Sequence, residues 1–439
     1  MSGIEVGIAS IIVIVALIYM GLYVPIALGL VSFVGVWILR GDVQLPVSLL
    51  SLAIGDTVSE QVFATIPLFA LMGLLVGQAG LGKDVYEVAN VAFQRIRGGL
   101  GIATVAANAV FASITGSSIA SATVFTRISV PEMLRFGYTR KFSVGVVAGS
   151  SVLGMLIPPS AMLIIYAIVA EQSVGHMFIA GIIPGLLLAV AYGIMIVVFA
   201  YWIPAFVMED EDAAAQAKMA IVMSTAEVIG KLAPIAVLIL VVLGGIYGGV
   251  VTPVEAGAAG SLAALIITIV KGKANPKAIW NVLVETGHIS AVILFLIISA
   301  SMYSRMLGVA ALPTTFGEWL TGLDLSFTAV MILYVVMLIA LGTVIDTASI
   351  ILIVVPLFLP AVEAFGGDLV WFGIVTVVGA EIGLLTPPLG LSCFAIKSTI
   401  NNDSITLYDI FAGSFPFAVT MLLVLMLLIA YPMLSLALI

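Results

Sequence analysis

The chain has little of what metal sites and catalytic sites are usually built from. Its 439 residues include one cysteine, Cys393, and two histidines, His176 and His288. A single cysteine excludes an intrachain disulfide bond and a multi-cysteine metal site. Two histidines argue against a histidine metal centre. Both lie near the predicted membrane edges, which argues against the paired Ser and His of an intramembrane protease. An enzyme is therefore the weaker class of hypothesis, and no catalytic residue is predicted.

Charged residues are also scarce, and their scarcity identifies the solvent. Only 9% of the residues are charged, whereas about a quarter are charged in a soluble domain. Hydrophobic residues make up 63% of the chain, and the mean hydropathy is +1.31. Stretches such as residues 8–39 exceed the roughly 20 apolar residues that cross a bilayer. We predict an all-α polytopic membrane protein, embedded in the lipid bilayer and without a nucleic-acid partner.

Ten apolar runs predict spanning helices. They lie near residues 4–21, 25–39, 60–80, 141–170, 177–203, 232–246, 250–270, 287–308, 370–397 and 410–436. Residues 83–98 and 275–288 are too polar to span, and we expect them to form amphipathic arms along the membrane interface. The acidic segment "MEDEDAAAQAK", residues 208–218, predicts a solvated cytoplasmic loop.

Two further apolar segments, residues 99–130 and 325–360, are expected to be re-entrant hairpins. Lysine and arginine favour the cytoplasmic side, and they flank both ends of the first segment, whereas only acidic residues flank the second. The basic flanks are Lys83, Arg95, Arg97, Arg127, Arg135, Arg140 and Lys141, and the acidic flanks are Glu318, Asp324, Glu363 and Asp368. The first hairpin would therefore open to the cytoplasm and the second to the outside. This layout places 13 of the 15 Lys and Arg inside, with Arg40 and Arg305 as exceptions.

Two related motifs indicate an internal repeat. "LGMLIPPSA" (153–161) and "IGLLTPPLG" (382–390) contain proline pairs 229 residues apart. The same offset pairs Ser117-Ser118 with Asp346-Thr347. Because the flanking charges put the two hairpins on opposite faces, we predict an inverted-topology repeat. Many secondary transporters use this arrangement to form a site near the membrane midplane.

Each proline pair predicts a broken helix that offers ion-binding oxygens. Proline has no N–H and clashes with the preceding turn, so the helix opens. Carbonyl oxygens freed in this way cannot be left unpaired in hydrocarbon. Where they face a cavity they can coordinate Na⁺, while the N-terminus of a half-helix attracts an anion. Gly154 and Gly383 let the backbone bend and let another element approach closely.

The hairpin tips carry polar groups that would complete such sites. "TGSS", residues 115–118, is compact and rich in hydroxyls. Asp346 is an ionisable group in an apolar hairpin, which by default marks a functional site. It can ligate a cation, cap the following helix, or do both. Glu381 has two possible roles, which are binding an ion or a proton and making a buried hydrogen bond. Arg127 and Arg305 either pair with a solute carboxylate or snorkel to the interface.

Together these segments resemble the large membrane subunit of tripartite ATP-independent periplasmic (TRAP) transporters, within the wider ion-transporter superfamily. The most specific stretches are "FASITGSSIASATV" (111–124), "PEMLRFGY" (131–138), "LGMLIPPSAMLIIYAIVAEQSVGHMFIAGIIPG" (153–185) and "EIGLLTPPLG" (381–390). The resemblance implies an elevator-type carrier in the bacterial inner membrane that imports a carboxylate-bearing solute with Na⁺ as coupling ion. It also implies two partners, a small four-helix membrane subunit, expected as a separate chain, and a periplasmic solute-binding protein.

The resemblance further implies two sodium sites, with the solute between the hairpin tips. The first sodium site would comprise Gly116, Ser117, Gly154, Ile157 and Pro158, and the second Gly342, Asp346, Gly383, Thr386 and Pro387. The candidate solute ligands are Ser117, Ser118, Arg127, Ser160 and Thr347. Arg127 departs from the small or apolar residue expected at its position, which leaves its role open.

The same interpretation divides the chain into five segments. They are scaffold helices with a first arm (1–98), the first half of a transport domain (99–203), an acidic cytoplasmic loop (204–231), scaffold helices with a second arm (232–315) and the second half of the transport domain (316–439).

Other functions stay open on the sequence alone. A self-sufficient Na⁺/dicarboxylate or citrate symporter of the same superfamily would share the hairpins and breaks but need no binding protein. A channel should show a repeated pore-lining segment, and an intramembrane enzyme should show paired catalytic groups. The solute is equally open among C4-dicarboxylates, sialic acid, other sugar acids and ectoine-like zwitterions.

Overall fold

The computed structural model consists of helices joined by short connections. It describes residues 2–209, 223–323, 325–400, 402 and 404–439. Within these ranges, the one β-type contact is an isolated bridge between Tyr138 and Met208. Most of the predicted acidic loop, and Asp324 of the acidic flank, lie outside the described residues. The predicted all-α fold class is confirmed.

The helices follow one another in this order. The first part contains α1 Gly3–Tyr19, α2 Val24–Arg40, α3 Gln44–Ser59, a 3₁₀ turn Gln61–Ala64, α4 Thr65–Ala79, α5 Leu81–Phe93, α6 Gly99–Thr115, α7 Ser118–Arg135, α8 Arg140–Ser151, α9 Leu153–Leu156, α10 Ala161–Val169, α11 Val174–Trp202 and α12 Pro204–Val207. The second contains α13 Thr225–Ile239, a π-helical turn Leu240–Gly244, α14 Gly245–Tyr247, α15 Pro253–Val270, α16 Pro276–Val309, α17 Leu312–Thr321, α18 Phe327–Gly342, α19 Thr347–Ala364, α20 Leu369–Leu384, α21 Leu391–Thr399, α22 Leu407–Ala430 and α23 Met433–Leu436.

Polar side chains fix where many of these helices begin. Four of them start with a capping box, in which the first hydroxyl and a carboxylate three residues later each accept a backbone N–H. The pairs are Ser2 with Glu5, Ser224 with Glu227, Thr252 with Glu255 and Thr406 with Asp409. A capping box satisfies N–H groups that have no partner inside the helix.

The internal repeat is visible in the helix boundaries. Shifted by the 229 residues that separate the proline pairs, α7 has the same bounds as α19. α8 with α9 then corresponds to α20, α10 to α21 and α11 to α22, within a few residues. The structure therefore confirms that 99–130 and 325–360 are matched helical hairpins, and that each is followed by a broken helix.

The long helices suit a membrane. Among the described residues, seven helices are long and apolar enough to cross one, and an eighth span results if the two parts of the first broken helix, bent by 43°, are taken together. α1 and α2 have 17 residues each, which at 1.5 Å per residue is about 25 Å and close to the thickness of the hydrocarbon core.

Two helical assignments made from the sequence are wrong. Residues 44–59 form α3, whereas no helix was predicted there. Residues 275–288 were expected to form a separate arm, but they are the first part of the continuous 34-residue α16. By the repeat offset, the counterpart of α5 is instead the short α17, which also follows a long apolar helix. The prediction failed because the polar residues 275–288 lie outside the apolar stretch of α16 but do not interrupt the helix.

The two halves that contain the hairpins, residues 99–203 and 316–439, pack tightly against each other. α8 crosses α22 where Gly145 meets Gly413, and a Cβ atom on Gly145 would lie 2.1 Å from the carbonyl oxygen of Gly413. Only glycine permits this backbone approach. α1–α4 and α13–α16, called the outer helices below, pack mainly on one another, for example α4 on α15 and α2 on α16.

Candidate ion and solute site

The tip of the first hairpin lies directly on the first proline break. Gly116 and Ser117 join α6 to α7, and Gly116 has a φ of +59°, a conformation that suits glycine. A Cβ atom on Gly116 would lie 2.9 Å from the carbonyl oxygen of Pro159. The Ser117 hydroxyl caps α7 by accepting the N–H of Ala120 at 3.3 Å. The structure thus brings the predicted residues of the first ion site together.

The first break is buried and internally braced. Its prolines, Pro158 and Pro159, are joined by a cis peptide bond and have no N–H, so the carbonyls of Gly154 and Met155 lose their helical donors. The hydroxyl of Ser160 donates to the Met155 carbonyl at 2.5 Å. Ser160, a predicted solute ligand, is therefore buried and engaged within the break, and the Gly154 carbonyl is the stronger candidate for an ion.

Helix α11 closes the back of this break. A Cβ atom on Gly181 would lie 2.5 Å from the carbonyl oxygen of Leu156, and one on Gly185 would lie 2.5 Å from Cγ1 of Ile157. The two glycines let α11 approach the non-helical residues closely. Ile157 is consequently held between the first break and α11, which fixes the backbone at a predicted sodium ligand.

The other predicted residues of the first hairpin differ in their surroundings. Ser118 is buried at the start of α7, and Ser121 lies on the same face one turn later; among the described residues, neither hydroxyl has a hydrogen-bonding partner. Arg127 is exposed and lies about 13 Å along the helix axis from Ser118. The structure thus brings Ser118 to the tip but does not bring Arg127 there.

The tip of the second hairpin lies on the second break. Gly342 ends α18 beside Gly383 of α20, with no space for a side chain on either glycine. The backbone N–H groups of Leu389 and Gly390 both point to the carbonyl oxygen of Thr343, at 3.1 and 3.4 Å. The predicted second-site residues Gly342 and Gly383 are therefore in direct contact.

Asp346 caps α19, as one of its two predicted roles requires. Its Oδ1 accepts the N–H of Ser349 at 2.9 Å, and its Oδ2 accepts the hydroxyl of the same serine at 2.5 Å. Both carboxylate oxygens thus accept a hydrogen bond from one residue. The capping role of Asp346 is confirmed, and its role in cation binding stays a prediction.

Thr347 and Glu381 form a buried pair next to this cap. The Thr347 hydroxyl donates to Oε1 of Glu381 at 2.7 Å, and Glu381 is completely inaccessible to solvent. The buried hydrogen bond predicted as one role for Glu381 is therefore present. Thr347 is predicted to bind the solute. Its hydroxyl hydrogen is used in the hydrogen bond to Glu381, within the second half.

The second break is more accessible than the first. Pro387 and Pro388 are exposed, whereas the corresponding Pro158 and Pro159 are buried. The Thr386 hydroxyl donates to the carbonyl of Ile382 at 2.8 Å, which leaves its oxygen lone pairs available to a cation. The two halves share a backbone plan but differ in how far their breaks are open.

The two candidate sites are linked by a crossover between the halves. α10, which follows the first break, packs against α19 of the second hairpin. α21, which follows the second break, packs against α7 of the first hairpin. Each hairpin therefore contacts both broken helices, so the two tips and the two breaks form one central region.

Sequence reasoning missed two residues of this region. Ser349 supplies both hydrogen bonds to Asp346, and its position three residues after the aspartate is a local signal that could have revealed it. Tyr192 of α11 is buried and is an electrostatic neighbour of Glu381. No signal in the sequence could have revealed this electrostatic relationship, because the two residues lie far apart along the chain.

Comparison with known proteins identifies the family. The family described as "Tripartite ATP-independent periplasmic transporter, DctM component" matches residues 11–434. The chain belongs to this DctM family. Because the family consists of transporter components, the chain is a multi-pass transporter subunit and not an enzyme, and the tripartite system implies partner proteins.

Curated relatives of this DctM-family chain carry matching names. The C4-dicarboxylate TRAP transporter large permease protein DctM of Pseudomonas aeruginosa is 33% identical over 400 residues, 90% of each chain. The protein of the same name from Rhodobacter capsulatus is 31% identical over 97% of this chain and 96% of its own length. The sialic acid TRAP transporter large permease protein SiaM of Vibrio cholerae is 28% identical over 85% of each chain.

Two solved structures share the fold at much lower identity. The YdaH transporter of Alcanivorax borkumensis has a TM-score of 0.65 and 16% identity, over 84% of this chain and 85% of that one. MtrF of Neisseria gonorrhoeae has a TM-score of 0.59 and 11% identity, over 87% and 83% of the two chains. At these identities the likeness concerns the fold alone.

Proposed function

We propose that this chain is the large permease subunit that imports a carboxylate-bearing organic solute together with Na⁺. The names of the relatives support a C4-dicarboxylate or a sugar acid such as sialic acid as the solute. The observation that carries the proposal is that each hairpin tip rests on a proline break of its own half. This places helix ends, hydroxyls and freed carbonyls in one central region, as a coupled ion and solute site requires.

The two sodium ions bind at the two breaks in this proposal. Gly116, Ser117, Gly154, Ile157 and Pro158 supply the first site, and Gly342, Asp346, Gly383, Thr386 and Pro387 supply the second. Backbone carbonyls and hydroxyls are hard oxygen ligands that suit Na⁺. Asp346 offsets the charge of the second ion, and the neutral Ser117 holds the matching position in the first half.

The solute binds between the tips, where several helices begin. α7, α19 and α10 have their first N–H groups at or beside the tips and breaks, and helix N-termini favour anions. The hydroxyls of Ser118 and Ser121, which have no hydrogen-bonding partner among the described residues, can donate to a carboxylate there. Bound Na⁺ would complete an anion-friendly cavity, which explains why ion and solute enter together.

Transport by an elevator movement is part of the proposal. The two hairpin halves would slide as one body against the outer helices, with the first hairpin opening to the cytoplasm and the second to the periplasm. A cavity of about 460 Å³ lies at the boundary between these groups. Ser301 and Ser304 of α16 line one side, and Leu352 and Pro356 of α19 line the other. Such a gap leaves room at this boundary for the proposed movement.

The proposal places the chain in the bacterial inner membrane with two partners. A small membrane subunit would complete the scaffold, and a periplasmic binding protein would deliver the solute. Reconstitution into liposomes tests this requirement. With both partners, succinate or sialic acid should accumulate under a Na⁺ gradient, and the lone chain should give near-background uptake. Robust uptake by the lone chain would favour the self-sufficient symporter.

A further inference from the structure

Glu381 has a carboxylate oxygen without a hydrogen-bonding partner in the described part of the chain. The residue lies near the end of α20, immediately before the second break, and none of its surface is accessible to solvent. Oε1 accepts the Thr347 hydroxyl at 2.7 Å. Among the described residues, nothing donates a hydrogen bond to Oε2. A buried polar oxygen left in this way is costly, and a buried charge is more costly still.

The surroundings of Glu381 increase this cost. Asp346 is an electrostatic neighbour, so the region contains two carboxylates of like charge. The ion pairs in the described part of the chain involve Lys83, Lys231, Lys271 and Arg305, and none of these reaches Asp346 or Glu381. Two carboxylates without a basic partner favour an added positive charge.

A second unpartnered polar atom lies on the neighbouring helix. Tyr192 of α11 is completely buried, and α11 packs against α20. Its hydroxyl also lacks a hydrogen-bonding partner among the described residues, and Glu381 acts on it electrostatically. Two adjacent helices thus each carry a buried oxygen without a hydrogen-bonding partner among the described residues. Carboxylate and hydroxyl oxygens are both ligand types that a small hard cation accepts.

This combination occurs once in the repeat, with Glu381 in the second half and Tyr192 in the first. By the repeat offset, Val152 occupies the position of Glu381 in the first half, and Met421 occupies the position of Tyr192 in the second copy of α11. The pseudo-symmetry of the backbone does not require either polar residue. Because the equivalent pair, Val152 and Met421, has neither polar group, a ligand that needs both oxygens could bind beside Glu381 and not at the equivalent place.

We infer that Oε2 of Glu381, assisted by the Tyr192 hydroxyl, binds a monovalent cation, Na⁺, behind the second break. This inference rests on the proposed function and deepens its second ion site, because it assigns the buried negative charge to Glu381 in addition to Asp346. The cap of α19 already uses both oxygens of Asp346, whereas no described residue donates a hydrogen bond to Oε2 of Glu381. Thr347 connects the two carboxylates, so cation binding at Glu381 also orders the tip of the second hairpin.

Sodium-dependent thermal stabilisation of the purified chain tests the inference without transport. The chain in detergent would be heated in NaCl at increasing concentration, with choline chloride keeping the ionic strength constant. Glu381→Gln removes the charge but keeps an oxygen for Thr347, and Tyr192→Phe removes only the hydroxyl. Glu363→Gln, which alters an exposed carboxylate on α19, is the matched control.

We expect Glu381→Gln to raise the half-saturating Na⁺ concentration at least tenfold, and Tyr192→Phe to raise it several-fold, with Glu363→Gln unchanged. A wild-type midpoint in Glu381→Gln overturns the inference. If that variant does not fold, a wild-type midpoint in Tyr192→Phe overturns it. A Na⁺ midpoint that stays constant while the pH dependence changes would indicate a proton site and also overturn it. If the wild-type protein itself shows no Na⁺ response, the proposed function fails as well.

Discussion

Gly342 and Gly383 hold the second hairpin against the second broken helix by direct backbone contact. A Cβ atom on Gly383 would lie 2.4 Å from Cα of Gly342 and 2.6 Å from its carbonyl carbon. Because the obstructing atoms are backbone atoms, no side chain can move aside to make room. The position of the hairpin tip relative to the break is therefore set by two residues that lack side chains.

Replacing Gly383 by alanine should force these two helices apart. We expect a loss of about 1–3 kcal/mol in the free energy of unfolding, the usual cost of overpacking, and at least a tenfold loss of solute uptake. Thermal unfolding in detergent measures the first effect. Gly193→Ala in α11, where a Cβ atom meets nothing within 4 Å, should be neutral or slightly stabilising. Equal behaviour of the two variants would contradict the importance of the contact.

Asp346→Asn should separate cation binding from helix capping. Asparagine keeps an oxygen for the N–H of Ser349 but loses the charge. Losing a charge-assisted contact costs about 1–3 kcal/mol, so the Na⁺ concentration for half-maximal uptake should rise about ten- to hundredfold. Ser349→Ala, which removes one hydrogen bond of the cap and leaves the charge, is the control. Wild-type Na⁺ dependence in Asp346→Asn would leave the aspartate as a structural cap.

Cysteine accessibility should reveal the opposite orientation of the two hairpins. Cys393 is buried and would first be replaced by serine. Single cysteines at the exposed positions of Arg95, Arg135, Glu318 and Glu363 then mark the hairpin flanks. An impermeant thiol reagent applied from the periplasmic side should label only the last two. Labelling at 95 or 135 would refute the inverted repeat.

Two ion pairs should hold the arm helix α5 against the outer helices. Asp84 pairs with Lys271 and Glu87 pairs with Lys231, while α5 packs against the first hairpin through α6. The side chains are partly exposed, so each pair contributes at most about 1 kcal/mol. Lys231→Glu should reduce uptake a few-fold, and adding Glu87→Lys should restore it. Lys277→Glu, which alters an exposed lysine, is the control and should have little effect on uptake. If the double variant with the charges reversed does not regain uptake, the contact between Glu87 and Lys231 is not important.

Local chemistry allowed much of this architecture to be predicted from the sequence. The proline pairs, the hydroxyl-rich tip and the intramembrane aspartate each act through the backbone next to them. Their helix ends are therefore found where the sequence predicts them, and the offset from Pro158 to Pro387 also relates α7 to α19.

Contacts between distant segments could not be predicted in the same way. The contact of Gly342 with Gly383 depends on how α18 and α20 pack, and the placement of Tyr192 near Glu381 depends on how α11 packs against α20. Nothing local in the sequence specifies this packing. The arm was misplaced for a related reason. Polarity at 275–288 indicates a segment outside the apolar core, but it does not distinguish a separate arm from the extension of a spanning helix.

In the proposed mechanism, solute import by this chain depends on coupling to Na⁺ at the two breaks. The most direct test of this coupling is uptake of labelled succinate or sialic acid by the chain reconstituted with its small subunit and binding protein. An inward Na⁺ gradient should drive accumulation above equilibrium, and an equal K⁺ gradient should not. Equal accumulation with either cation, or with no cation gradient at all, would contradict the account.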